Sequence, residues 1–105
     1  MELKTYCEES YVNVVPFLRA AIIKALTRRG FPVKKAVKVL GVSTTAYERH
    51  ACDERVDRIL NDEELGDMVE ALASRILVGE RIEPSTFCVL CTRSRKLFGL
   101  KECTY

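Results

Sequence analysis

VKKAVKVLGVSTTAYERH, residues 33–50, is the stretch whose reading decides the fold. Ala36, Val37 and Leu40 recur at helical spacing while Lys34, Lys35 and Lys38 fall on the other side, and Pro32 suits a first helical turn. Gly41 supplies backbone freedom where that helix must stop. Val42 plugs the space between two helices, and Ser43 can cap the second one through its side-chain oxygen. A second helix is predicted from Thr44 to Ala51 or Cys52, with Tyr47 and His50 three apart on its buried side. Thr44, Thr45, Glu48 and Arg49 are left on the outer face. A helix, a tight turn and a second helix form the pattern of a helix-turn-helix reader, whose second helix enters the major groove of DNA.

Charge around this stretch points the same way. Net charge is only +2, yet residues 11–47 contain no Asp or Glu and carry Arg19, Lys24, Arg28, Arg29, Lys34, Lys35 and Lys38. The positive field therefore sits on the half of the chain where phosphates would be met. The candidate DNA contacts are Lys34, Lys35, Lys38, Ser43, Thr44, Thr45, Glu48 and Arg49. Arg49 suits guanine or phosphate, and the threonines suit base edges or thymine methyls.

Outward from this unit, the periodicity predicts an all-α protein. A helix is expected near Glu8, then a core helix from Pro16 to Gly30 with Phe17, Leu18, Ala21, Ile22, Ala25 and Leu26 on its apolar face. Residues 53–60 read as a short helix or turn. Asn61 with Glu64 resembles a capping box, opening a helix whose stripe of Leu65, Met68, Val69, Leu72, Ile76 and Leu77 ends at Gly79. A reader of palindromic DNA must pair with a copy, so this stripe is the candidate two-fold interface. Residues 1–60 thus form the tri-helical DNA-binding part, and residues 61–105 a helical dimerisation and cysteine-bearing part.

At 105 residues with 48% apolar side chains, the chain can bury a modest core. No apolar run approaches the roughly 20 residues that span a bilayer, and the N-terminus lacks a basic start followed by an apolar stretch. A cytoplasmic protein without a membrane partner is expected. The absence of Gln and Trp and the scarcity of Asn carry a faint thermophile signature, which bears on whether intracellular cysteines pair.

Five cysteines mark a different chemistry: Cys7, Cys52, Cys88, Cys91 and Cys103. Cys88-x2-Cys91 lets two thiolates converge on one metal ion, as in half of a zinc site. Cys103 would be a third ligand, with Cys7, Cys52 or His50 as the fourth. Zinc or an iron–sulfur cluster are the cofactors such a set would hold. Disulfides and inert buried thiols are the competing readings.

With these residues in place, the chain resembles small archaeal helix-turn-helix transcription regulators of the Cro and phage-repressor type. One subgroup of these has a C-terminal Cys-x2-Cys, and a similar module occurs fused to thiamine-phosphate synthase domains. The likeness is carried by Cys7-Glu8, Pro16-Phe17-Leu18-Arg19-Ala20, Leu40-Gly41-Val42-Ser43 and FCVLCTRSRKLFGLKEC at residues 87–103. It implies a DNA-binding homodimer of helices and groups Cys7, Cys88, Cys91 and Cys103 together. The chain departs from that family at Pro32-Val33 and Ser43-Thr44, where Gln is usual, so amide readout of adenine is missing. Val37 and Tyr47 also replace smaller residues.

The function expected is that of a sequence-specific transcriptional regulator on double-stranded DNA. The alternative is a non-enzymatic interaction adaptor stapled by its cysteines, favoured by Glu48, which would repel phosphate unless it reads cytosine. No enzyme is expected: no acid/base pair, phosphate loop or activated nucleophile is visible, and His50 falls on the predicted buried face.

Overall fold

The computed structural model describes residues 5–101, and all regular structure among them is helical. The order is α1 (Tyr6–Asn13), α2 (Val15–Arg28), α3 (Val33–Leu40), α4 (Thr44–Ala51), α5 (Glu54–Asn61), α6 (Glu63–Leu77) and α7 (Pro84–Leu97). The all-α expectation is met. None of these helices is long and apolar enough to cross a membrane.

α2 is the hub, because its sequence is apolar on nearly every side. Phe17, Leu18, Ala20, Ala21, Ile22, Ile23, Ala25 and Leu26 are all buried, and every other helix packs against it. A helix that is hydrophobic all round has to be surrounded. Each of the large side chains among these is worth about 1.5–3 kcal/mol in area removed from water, which no surface interaction here rivals. α1 feeds into α2 through Val14, which is fully buried and whose N–H donates to the Ser10 carbonyl at 2.8 Å. Pro16 lies in the first turn of α2, where its missing N–H costs nothing.

α6 supplies the second large face of the core. Leu65, Val69, Leu72, Ala73 and Ile76 are buried, with Met68 and Leu77 packed beside them. The apolar stripe expected to meet a second copy is therefore seated against α2 of its own chain. The core also runs without a break across residues 60–61, from Phe17 through Val56 and Ile59 to Leu90.

The corner between α5 and α6 corrects one expectation. Asn61 ends α5, and the cap of α6 is Asp62, whose Oδ2 accepts the Leu65 N–H at 2.9 Å. Both residue types cap well, so the choice is made by packing. Val56 and Ile59 must point inward from α5 and Leu65 from α6, with one residue left for the turn. Gly66 then lies so close to the preceding helix that an added Cβ would come within 2.6 Å of the Leu60 carbonyl oxygen.

α7 is seated differently. Its buried residues are Leu90, Ser94 and Arg95, only one of them apolar. The segment Arg93-Ser94-Arg95-Lys96 has three cations in four residues and hides one of them, Arg95. Arg95 is fully buried, and its guanidinium donates to Glu9 Oε1 at 2.6 Å, Ser10 Oγ at 2.9 Å and the Lys101 carbonyl at 2.6 Å. This one side chain ties α7 to α1 and to the end of the described chain.

Candidate nucleic-acid interface

Local sequence builds the α3–α4 unit. α3 ends because Gly41 takes the left-handed conformation at φ 70°, which lets the Val42 N–H turn back to the Val37 carbonyl at 2.9 Å. Two residues later Ser43 starts α4, its Oγ accepting the Ala46 N–H at 3.1 Å. The turn thus spans Gly41, Val42 and Ser43, with Val42 packed against the core.

α4 packs along α2 through a half-buried inner face and has no fully buried residue. Ala46, Tyr47 and His50 are half-buried, so the inner face predicted for Tyr47 and His50 is real but only partly covered. His50 sets its ring edge against Phe17, centroids 5.2 Å apart, and the Arg55 guanidinium stacks on Phe17 at 4.3 Å. Lys24 closes the far end by donating from Nζ to the Ala51 carbonyl at 3.1 Å, with Asp57 at 3.7 Å. That places a positive charge at the helix C-terminus, where the dipole favours it. Lys24 belongs to the support of α4.

All eight candidate contacts lie on the surface: Lys34, Lys35, Lys38, Ser43, Thr44, Thr45, Glu48 and Arg49 are each exposed. Among the described residues, Lys34, Lys35, Lys38 and Arg49 make no ion pair, and neither does Glu48. Lys35 lies over the Phe31 ring at 5.4 Å, a contact that orients the ammonium and leaves its charge uncompensated. Ser43 is partly committed, since its oxygen caps the helix and only its O–H remains to donate. Thr44 and Thr45 stand in the first turn of α4, where backbone N–H groups and the helix dipole favour an anion.

Sequence reasoning gave Arg19 no role at this face. A groove of about 420 Å³ runs between α2 and α4, with Arg19 and Arg49 in its lining together with Tyr11, Tyr47 and His50. Arg19 is held there by its stacking on Phe87 of α7, 5.7 Å from the ring centroid. The signal available was the absence of acids around it, which marks the region and not the residue.

The cysteines separate into groups. Cys7, Cys88 and Cys91 line one apolar groove of about 490 Å³ between α1 and α7. Cys52 is exposed at the end of α4, and His50 lines the other groove, so neither joins them. Cys103 lies outside the described residues. Among the described residues, no three His, Cys, Asp or Glu side chains are already gathered as a metal-ligand set.

Comparison of the chain with protein-family models, with curated proteins and with solved structures finds no match.

Proposed function

We propose that this chain is a sequence-specific, non-enzymatic DNA-binding regulator of transcription, acting as a homodimer that presents α4 to the major groove of double-stranded DNA in the cytoplasm. The observation that carries the reading is the set of exposed cations on α3 and α4 that have no ion-pair partner among the described residues. They surround a short polar helix that buries no residue of its own. A helix whose outer face is left to solvent is available to a partner, and uncompensated positive charge beside it suits a polyanion. Thr44, Thr45 and Arg49 are the residues assigned to the bases, Lys34, Lys35 and Lys38 to phosphates. With the α6 stripe seated inside the chain, the contact between copies would use another face. Tyr11 and Val12 on α1, 68% and 64% exposed, and Val89 on α7 are among the exposed apolar side chains that such a contact could use.

The second reading is an interaction adaptor. It is favoured by Glu48 in the middle of the outward face of α4 and by exposed Val33 and Val39 on α3. Anisotropy titrations against genomic DNA fragments over a range of salt decide between the two. The DNA reading expects affinity that falls as salt rises, by roughly 0.9 in the logarithmic slope for each phosphate neutralised. No binding at low salt, or binding indifferent to salt, would leave the adaptor.

A further inference from the structure

We infer that the groove between α1 and α7 is a binding site for a thiophilic divalent cation of the zinc class, held by Cys7, Cys88 and Cys91. Folding brings these thiols together from opposite ends of the chain, and all of them line the same groove of about 490 Å³. Cys88 and Cys91 are three residues apart on α7, so their side chains leave the same face of the helix one turn apart and can take one cation between them. Cys7, in the first turn of α1, faces them across the groove.

The surroundings suit this chemistry. Val15, Phe87 and Val89 give the groove apolar walls beside Ser10, Thr92 and Arg93, and no carboxylate contributes to the lining. A hard, oxygen-seeking cation such as magnesium or calcium would find no carboxylate there. Cys7 and Cys88 are exposed and Cys91 is half-buried, so an ion can reach them. The spacing of the two helices is set nearby by Arg95, which grips Glu9 and Ser10 one turn along α1 from Cys7. The thiols line the groove without yet meeting at one point. Binding therefore draws the first turn of α1 toward α7, and each thiol that ligates gives up its proton to solvent.

The test uses the full chain, reduced and freed of metal with a chelator, then titrated anaerobically with Cd²⁺. Two signals are followed: thiolate-to-metal charge-transfer absorbance, and alkylation of each cysteine by mass spectrometry. The expected result is a band that saturates at one Cd²⁺ per chain, with Cys7, Cys88 and Cys91 protected. Cys52, off the groove, should alkylate at an unchanged rate. C88S and C91S should each remove most of the band, and C7S should weaken binding by more than the roughly 10–100-fold that loss of a supporting group costs. Helicity by circular dichroism guards against misfolded variants, and protection in the wild-type chain is independent of every variant. Absence of the band, equal protection of Cys52, or a C7S chain that binds like the wild type would overturn the assignment. So would loss of binding in C103S with C7S unaffected.

Discussion

Two segments of this chain look alike on paper and behave in opposite ways. The α3–α4 region carries Lys34, Lys35, Lys38 and Arg49, and α7 carries Arg93, Arg95 and Lys96. In the first, every cation is exposed and none has an ion-pair partner among the described residues. In the second, Arg95 is wholly buried against Glu9 and Ser10, and Arg93 pairs with Glu64 at 2.6 Å. What separates them is the supply of acids. Residues 11–47 contain none, whereas α7 packs beside α6 and near α1, both of which carry glutamates. Arg95 is used for architecture because Glu9 of a neighbouring helix reaches it, whereas the lysines of α3 have no such acid among the described residues.

The largest expected effect tests the architectural half. Arg95→Ala should lower the unfolding free energy by about 3 kcal/mol, toward the low end for breaking a buried pair because Glu9 keeps part of its contact with water. Arg95→Lys should recover little, since an ammonium cannot spread donors to Glu9, Ser10 and the Lys101 carbonyl together. Urea unfolding followed by circular dichroism checks both. A loss under about 1 kcal/mol would make Arg95 an ordinary surface cation in effect, and the contrast would fail.

The next effect belongs to the other half. Replacing Lys35 and Arg49 together with Ala should weaken DNA binding by about 10–100-fold at moderate salt and flatten the salt slope by nearly two phosphate equivalents. Stability should move by no more than about 0.5 kcal/mol, as expected of exposed side chains without partners. Anisotropy and urea titration on the same preparation give both numbers. A double variant that loses stability and keeps its DNA affinity would reverse the roles assigned to the two segments.

A smaller change probes the turn between them. Ser43→Ala removes the side-chain cap of α4 and should cost about 1 kcal/mol of stability. Because α4 buries none of its residues, the loss should appear first as faster amide exchange in its opening turn, measured by hydrogen exchange. Exchange in α2 should remain slower than in that turn, since eight of its residues are buried.

Legibility in the sequence followed the same divide. Helices α3 and α4 have the bounds their residues suggest, because the signals that set them are local: Pro32, Gly41 and Ser43 each act within four residues. Exposure of the seven helical candidate contacts followed from helical periodicity, and that of Ser43 from its place in the turn. The start of α6 did not follow, because Asn61 and Asp62 cap equally well and the register is chosen by Ile59, Leu60 and Gly66 meeting across the corner. Arg95 could not be read at all, since its partner Glu9 is 86 residues away. Spacing alone left the partner of Cys88 and Cys91 open between Cys7, Cys52 and His50; only the family resemblance grouped Cys7 with them, and the fold sets it on the same groove.

Arg93 supplies the smallest effect and the finest test of the contrast. It lies on α7 and forms a short ion pair with Glu64, so partnership alone would class it with Arg95. Burial separates the two. The Arg93 side chain is 45% exposed and that of Glu64 61%, so water screens the pair and two long side chains must be held still to form it. Arg93→Ala should therefore change stability by less than about 0.5 kcal/mol, and adding salt should shrink even that. A double-mutant cycle with Glu64→Ala isolates the pair from other consequences of truncation. A coupling near that of a buried pair would mean that an acid within reach is enough to make a cation structural. A coupling close to zero would mean that exclusion of water is also required, which is the condition Arg95 meets and Arg93 does not.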